Sequence, residues 1–312
     1  MRRSLTPLPP SPTAVGEGGR AALAVMPAGE LATLAGAGVR PHLIRWRERN
    51  LIVGAMLIGT IVLIAIFAPT IAPRGPLETD YAARLVAPGP GHLFGTDNLG
   101  RDIFSRVVHG ARIDLQVGLL SVILPFLIGS ALGCLAGYYG GRIDSVVMRI
   151  AEIIQAFPFL ILIIAIVAVL GTGLRSVYIA VALVAWVSYA RLLRGEILVA
   201  RNQEYVEAAR SLGGSDGRVI GRHLLPNVIT SALVFATTDI VLYIVLVTSL
   251  SYLGLAAQPP SPEWGAMITE GRTFMATAWW ISLFPGLAVV VTGIAFSVFG
   301  DGLADALRVR RR

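Results

Sequence analysis

The sequence predicts an all-α membrane protein, a bundle of six transmembrane helices carrying one large loop on its basic side. Three observations predict it. Of 312 residues, 55% are hydrophobic and only 14% are charged, roughly half the charged share of a soluble domain, and the mean hydropathy is +0.72. Uncharged stretches recur along the chain, most of them near the ~20 residues that a helix needs to cross a bilayer. Arginine is spread unevenly over the segments between them.

The first span is read at 51–72 and the second at 115–140, both without charge, the second containing Pro125. The third, 146–171, is apolar after Glu152 and Gln155. The fourth, 176–190, is the shortest, and Arg175 and Arg191 at its ends can reach the two interfaces. The fifth, 228–250, contains Asp239, and the sixth, 276–300, contains Pro285 beside Trp279 and Trp280. Proline inside these runs is no objection, because neighbouring membrane helices re-satisfy the freed backbone. The membrane domain so delimited is 45–308. The Pro-, Gly- and Ala-rich segment 1–44 reads as a disordered cytoplasmic tail, and 309–312 as a short basic tail. Arg2-Arg3 is followed by no apolar core, so a secretory signal is not expected.

An even number of spans puts both termini on one side. That side holds nineteen Arg against seven on the other, which places both termini in the cytoplasm. All 26 basic residues are Arg. Without Lys there is no Schiff base and no phosphate-loop nucleotide site. The single Cys134 excludes an intrachain disulfide, and the four His are scattered without metal-ligand spacing. No paired carboxylates or H-E-x-x-H pattern suggest an enzyme. The basic excess gives no ground for a nucleic-acid partner, and none is expected.

The largest basic-side loop lies between spans four and five. Tyr205, Ala208, Ala209 and Leu212 share helical spacing and form one apolar face of a short helix. Gly213 and Gly214 end it, since glycine tolerates a left-handed cap. Ser215 can cap a second short helix carrying Val219 and Ile220, and Pro226 opens span five where a missing N–H matters little. The reading is a helix–turn–helix elbow projecting from the membrane. The alternative is an amphipathic loop resting on the headgroups.

This loop resembles the EAA signature of ABC importer permeases. Glu207-Ala208-Ala209, Gly213 and Leu225-Pro226 supply six identities within 20 residues. The form Arg222 to Asn227 is similar to the peptide- and nickel-importer branch. The resemblance implies that the elbow is a coupling helix docking in a cytoplasmic ATPase, with Tyr205, Glu207, Ala208, Ala209, Leu212, Gly213 and Pro226 as its coupling residues.

The outer loop between spans one and two carries a second motif, Phe94-Gly95-Thr96-Asp97 through Gly100-Arg101-Asp102 to Ser105-Arg106. Asp97 can cap a helix. Leu99, Ile103, Phe104, Val107 and Val108 then fall on one face, with Arg101, Asp102, Ser105 and Arg106 on the other. That describes an interfacial helix or one packed on the bundle, and for any single residue a connector without ligand role. As a string it resembles the second permease subunit of dipeptide, oligopeptide and nickel importers. Leu250-Ser-Tyr-Leu-Gly-Leu255 and the Gln258 to Met267 run look like the same family.

The resemblance implies a six-helix ABC importer permease of a bacterial inner membrane that moves peptides or related small solutes by alternating access. Its partners would be a homologous second permease, two cytoplasmic ATPases, an extracytoplasmic solute-binding protein and lipid. ATP and Mg would bind the ATPases, and no cofactor is expected in this chain. The rival reading is an ion-gradient-driven secondary transporter, which needs a complete site in one chain and usually repeat symmetry. Two polar residues within the spans are candidates for the translocation path, Asp239 and Gln155. Asp239 lies about 17 Å into span five, near mid-membrane, where an acid usually faces a cavity or partner. Its alternative is a hydrogen bond to Thr237, Thr238 or Tyr243. Arg149 precedes Glu152 by three residues and can pair with it.

Overall fold

The computed structural model describes residues 41–309, with side chains over 49–307. The predicted tails therefore lie outside the described residues, apart from helical backbone at 41–44 and 309. The helical bundle lies in the unit Arg47–Arg312. Among the described residues the secondary structure is helical, apart from two isolated antiparallel bridges, Gly89 to His92 and Thr96 to Asp102.

Helix α1, Pro41–Ile66, is the first span. It ends before predicted, because Pro69 has no N–H to donate back into a continuing helix; the chain breaks at Phe67 and resumes as the single turn α2, Ala68–Ile71. Helix α3, Ile103–Tyr139, is 37 residues long, about 55 Å and well beyond a hydrocarbon core of about 30 Å. The separate outer-loop helix expected here is instead its first turns. Its N-cap is Asp102, whose carboxylate accepts from Ser105 N, not Asp97. Both faces of those turns are covered: Ile103 and Val108 are buried, and so are Asp102, Ser105 and Arg106.

The third span is broken. Helix α4, Gly141–Gln155, and helix α5, Phe159–Leu170, meet at 89°. Pro158 disfavours helix at Phe157 before it and adopts an extended backbone that starts α5. Six crossings result only when this bent pair is taken as one; five further helices are long and apolar enough to span. Helix α6, Leu174–Ala200, runs ten residues past the C-terminal end of the predicted fourth span. Arg194 is retained within it because its guanidinium binds Asp144 of α4 bidentately, at 2.5 and 2.7 Å.

Helices α3 and α6 form the most extensive pair. Gly129, Gly133 and Gly137 lie four apart on α3, and a Cβ on any of them would run into α6 at Trp186–Tyr189, Ala190 or Arg194–Ile197. Small residues at this spacing let two backbones approach closely where apolar burial alone gives no drive to associate in lipid.

The elbow comprises α7, Glu204–Ser211, and the single turn α8, Asp216–Arg218. Ser215 sits at the N-cap of α8 as expected, but its side chain makes no capping bond. The second elbow helix does not stop at Pro226. It runs through a π-helical turn, Val219–Leu224, into α9, Leu225–Tyr252. Leu225 N donates to Ile220 O, five residues back, and this wider turn carries the chain into Pro226, which cannot donate. Helix α10, Trp264–Gly271, which no apolar run announced, precedes α11, Trp280–Val309, the last span, with Pro285 inside it.

Candidate functional site

A cavity of about 480 Å³ opens beside α9. Gln155 ends α4, and the break at Pro158 brings Phe157 and Phe159 to the rim; α6 adds Val184, Ala185 and Ser188, and α9 adds Phe235, Asp239 and Tyr243. The two path candidates read from separate spans thus share one cavity. Asp239 lies midway along α9 and is 5% exposed. Its Oδ2 accepts a long bond from Tyr243 Oη, at 3.4 Å. Thr237, one of the three partners expected from sequence, turns away and donates to Val234 O at 2.7 Å. Glu152 pairs with Arg149 at 3.3 Å on an exposed face, as expected, and takes no part in the cavity.

The elbow is fastened to the bundle from one side. Val206, fully buried, packs with Val219, Leu224, Tyr138 and Leu193. The sequence reading missed Val206, although its three-residue spacing to half-buried Ala209 was a helical signal. Tyr138 Oη, near the C-terminal end of α3, donates to Asp216 Oδ1 at 2.7 Å, and Arg210 lies over the Tyr138 ring at 5.0 Å. Arg201 Nη1 donates to Gly137 O at 2.9 Å. Gly213 has φ +79° in open space, and Gly214 N donates to Ala209 O at 3.0 Å. The predicted face is therefore split: Ala209 turns inward, while Tyr205, Ala208 and Leu212 are exposed, Leu212 to 88%, and Glu207 beside them is exposed as well. Pro226 sits at the first turn of α9.

The outer-loop motif is a buried polar network. Asp97 Oδ2 accepts from Arg101 Nε and from Arg106 Nη1, each at 2.6 Å, and its Oδ1 accepts from Leu99 N and Arg101 N. Glu270 of α10 accepts from both arginines through Oε2, at 2.8 and 2.6 Å. Asp102 faces His92 at 3.0 Å, and Thr96 O accepts from Trp280 Nε1 at 3.0 Å. Gly95 and Gly100 hold positive φ, and a Cβ on Gly100 would run into the Asp80 carbonyl. The polar residues of the motif thus find partners within the fold, with Nε and Nη2 of Arg106 left without one, and the network ties this loop to α10 and α11. Among the described residues no cluster of His, Cys, Asp and Glu could hold a metal ion.

Long apolar helices, a broken crossing, a cavity with a mid-helix acid and an elbow with an uncovered apolar face define a multi-pass membrane permease. The chain belongs to the family of binding-protein-dependent transport system inner membrane components, whose profile matches residues 129–312. Residues 47–88 match the N-terminal transmembrane domain of oligopeptide transport permease C. The chain is 44% identical to the dipeptide transport system permease protein DppC of Alkalihalophilus pseudofirmus, over 84% of this chain and 89% of that protein. It is 42% identical to the glutathione transport system permease protein GsiD of Pectobacterium atrosepticum, over 84% and 87%. It is also 42% identical to the probable D,D-dipeptide transport system permease protein DdpC of Escherichia coli, over 82% and 86%. Membership sets aside the secondary-transporter alternative and makes the chain a multi-pass inner-membrane permease subunit.

Proposed function

We propose that this chain is one of two homologous permease subunits in an ATP-driven importer of di- or oligopeptides. Two cytoplasmic ATPases bind ATP and Mg, and an extracytoplasmic binding protein delivers the solute. Both termini face the cytoplasm. The cavity at Asp239 and Gln155 belongs to the translocation path, which opens alternately to the two sides as the ATPases close and separate. The elbow is the coupling element, with Tyr205, Glu207, Ala208, Ala209, Leu212, Gly213 and Pro226 presenting or shaping its docking surface.

The observation that carries this reading is the uncovered apolar face of α7 on a helix otherwise anchored to the bundle by Val206. An exposed apolar patch of this kind marks an interaction surface, and it lies on the segment that bears the EAA-like signature. The peptide assignment is supported by the similarity to dipeptide and glutathione permeases. Reconstitution of the two permeases, two ATPases and binding protein in liposomes tests it. ATP-dependent uptake of a labelled dipeptide is expected, and none when the ATPases are left out. Uptake that proceeds without ATP would refute the assignment.

A further inference from the structure

The cavity contains one carboxylate and no charge to balance it. Among the residues that line it there is no Arg or His, and the polar groups facing Asp239 are the hydroxyls of Tyr243 and Tyr189. A buried acid in such a setting is costly unless it is paired, and the hydrogen bond that it accepts from Tyr243 is long at 3.4 Å. The rest of the lining favours the same sign of ligand. Phe157, Phe159, Phe235 and Tyr243 line the cavity, and the faces of aromatic rings attract cations. Gln155 adds a neutral carboxamide that can donate and accept. An anionic group here would meet the Asp239 carboxylate with nothing to offset the repulsion. At about 480 Å³ the space lies within the range of small-molecule sites, roughly 300–1,000 Å³.

We infer that Asp239 accepts the cationic head of the transported solute, with the aromatic rim and Gln155 holding the uncharged segment next to it and any anionic end of the solute kept away from the carboxylate. The inference rests for its substrate on the peptide assignment, under which that head is the α-ammonium group. The mutual arrangement also explains why a short-lived ion pair suits a path. The carboxylate is met by tyrosine hydroxyls and by no resident cation among the lining residues, so the cation is gained on entry and released when the cavity opens to the other side.

The test uses the assembled importer, with both permeases and both ATPases, in nanodiscs and without binding protein. Cys134 is the only cysteine, so Cys134→Ala gives a thiol-free chain, and Ser188→Cys then places one thiol on the exposed cavity lining. Two probes that differ in one charge, alanyl-alanine amide and its N-acetyl form, are titrated for protection of that thiol from a maleimide. With Asp239 present, the cationic probe is expected to half-protect at a concentration at least about tenfold below the acetylated one, as a charge-assisted contact predicts. Asp239→Asn should bring the two concentrations together, and Asp239→Glu should restore a preference. Equal protection by both probes with Asp239 intact, protection by neither, or a preference that survives in Asp239→Asn overturns the inference. If Asp239→Asn does not assemble, the comparison on the unaltered carboxylate still decides. A failure of dipeptide uptake in the intact importer would instead remove the peptide assignment and leave this comparison standing.

Discussion

Nη1 of Arg106 lies 2.6 Å from Oε2 of Glu270, and the same nitrogen lies 2.6 Å from Oδ2 of Asp97. With Arg101 on the same two acids, the set balances two positive against two negative charges, and the side chains of Arg106 and Asp97 are fully buried. Breaking a buried pair by removing one partner costs about 3–5 kcal/mol, because an uncompensated charge is left behind. Arg106→Met should therefore lower the melting temperature of the detergent-purified chain sharply. Arg106→Met combined with Glu270→Gln should cost less than the sum of the two single changes, since the partners form one network. Additive losses in that double-mutant cycle would show that the two side chains do not act together.

A second acid explains the placement of α10. Glu263 caps it through a 2.7 Å bond from Ala266 N to Oε2, and Asp114 of α3 accepts from Trp264 N at 3.1 Å. Burial holds the Glu263 carboxyl above its ordinary value of 4.5. The folded chain thus binds a proton more tightly than the unfolded chain, so the stability linked to Glu263 is full below 4.5 and is lost as pH rises through the raised value. Glu263→Gln keeps an oxygen for Ala266 N and removes the titration. Its melting temperature should fall less from pH 4 to pH 8 than that of the unaltered chain. Parallel profiles would remove Glu263 from the pH response.

These acids mark where the sequence is silent. Apolar runs locate the spans because lipid imposes length and hydrophobicity on each crossing. They do not register a break inside an apolar stretch, so the 89° bend passed unread although Phe157-Pro158 was its signal. Nor do they distinguish a polar face in water from one buried in ion pairs. Spacing put Arg101, Asp102 and Arg106 on one polar helical face, but the helix begins only at Ile103, so Arg101 and Asp102 precede it, and all three are inside the protein, matched by Glu270 and His92 from outside the helix. The meeting of Gln155 and Asp239 was equally hidden, since two candidates 84 positions apart come together only through the packing of α4 and α9 around α6. The elbow was legible because its cues are local: helical spacing, Gly213, and a proline.

Gly213 and Gly214 serve different needs and should respond differently. At Gly213 there is open space but φ is +79°, so Gly213→Val introduces backbone strain of about 1–2 kcal/mol. At Gly214 a Cβ would lie 2.7 Å from Ala209 O, so Gly214→Ala pushes the two arms of the elbow apart. Gly213→Asn, which tolerates the left-handed region, should preserve ATPase association. Gly213→Val and Gly214→Ala should weaken it while membrane levels stay normal. Co-purification of the ATPases distinguishes the cases, and equal recovery with all three variants would contradict the role of the turn.

The exposed face itself makes a sharper claim. Leu212 is 88% exposed, so Leu212→Asp disturbs nothing within the chain and should change its stability by no more than about 0.5 kcal/mol. If the face docks on an ATPase, the same change places an unpaired charge in an apolar contact and should abolish complex formation. Val206→Ala is the opposite case. It removes buried apolar surface worth about 1–3 kcal/mol and should loosen the elbow without altering the docking face. Stimulated ATP hydrolysis that is normal in Leu212→Asp would rule out docking by this face.

Tyr138 connects the elbow to the transmembrane bundle. Its hydroxyl holds Asp216 at the start of the second elbow helix, Arg210 of α7 lies over its ring, and its own helix packs along α6, which lines the cavity. A displacement of the elbow by an ATPase would therefore act on α3 through this hydrogen bond and ring contact, alongside the packing of Val206. Tyr138→Phe removes only the former, a loss of about 0.5–1.5 kcal/mol, and keeps the ring under Arg210. Tyr138→Ala removes both. Neither residue touches the outer face of α7, so ATPase binding should be retained in both variants. The expected phenotype is loss of coupling, graded from Phe to Ala: solute moved per ATP hydrolysed should fall modestly in the first and severely in the second. Asp216→Asn, which leaves an oxygen to accept from the Tyr138 hydroxyl, should stay close to the unaltered ratio. If transport per ATP is the same in Tyr138→Ala as in the unaltered importer, the strut carries no motion and the elbow must act on the bundle through Val206 and the π-helical turn alone.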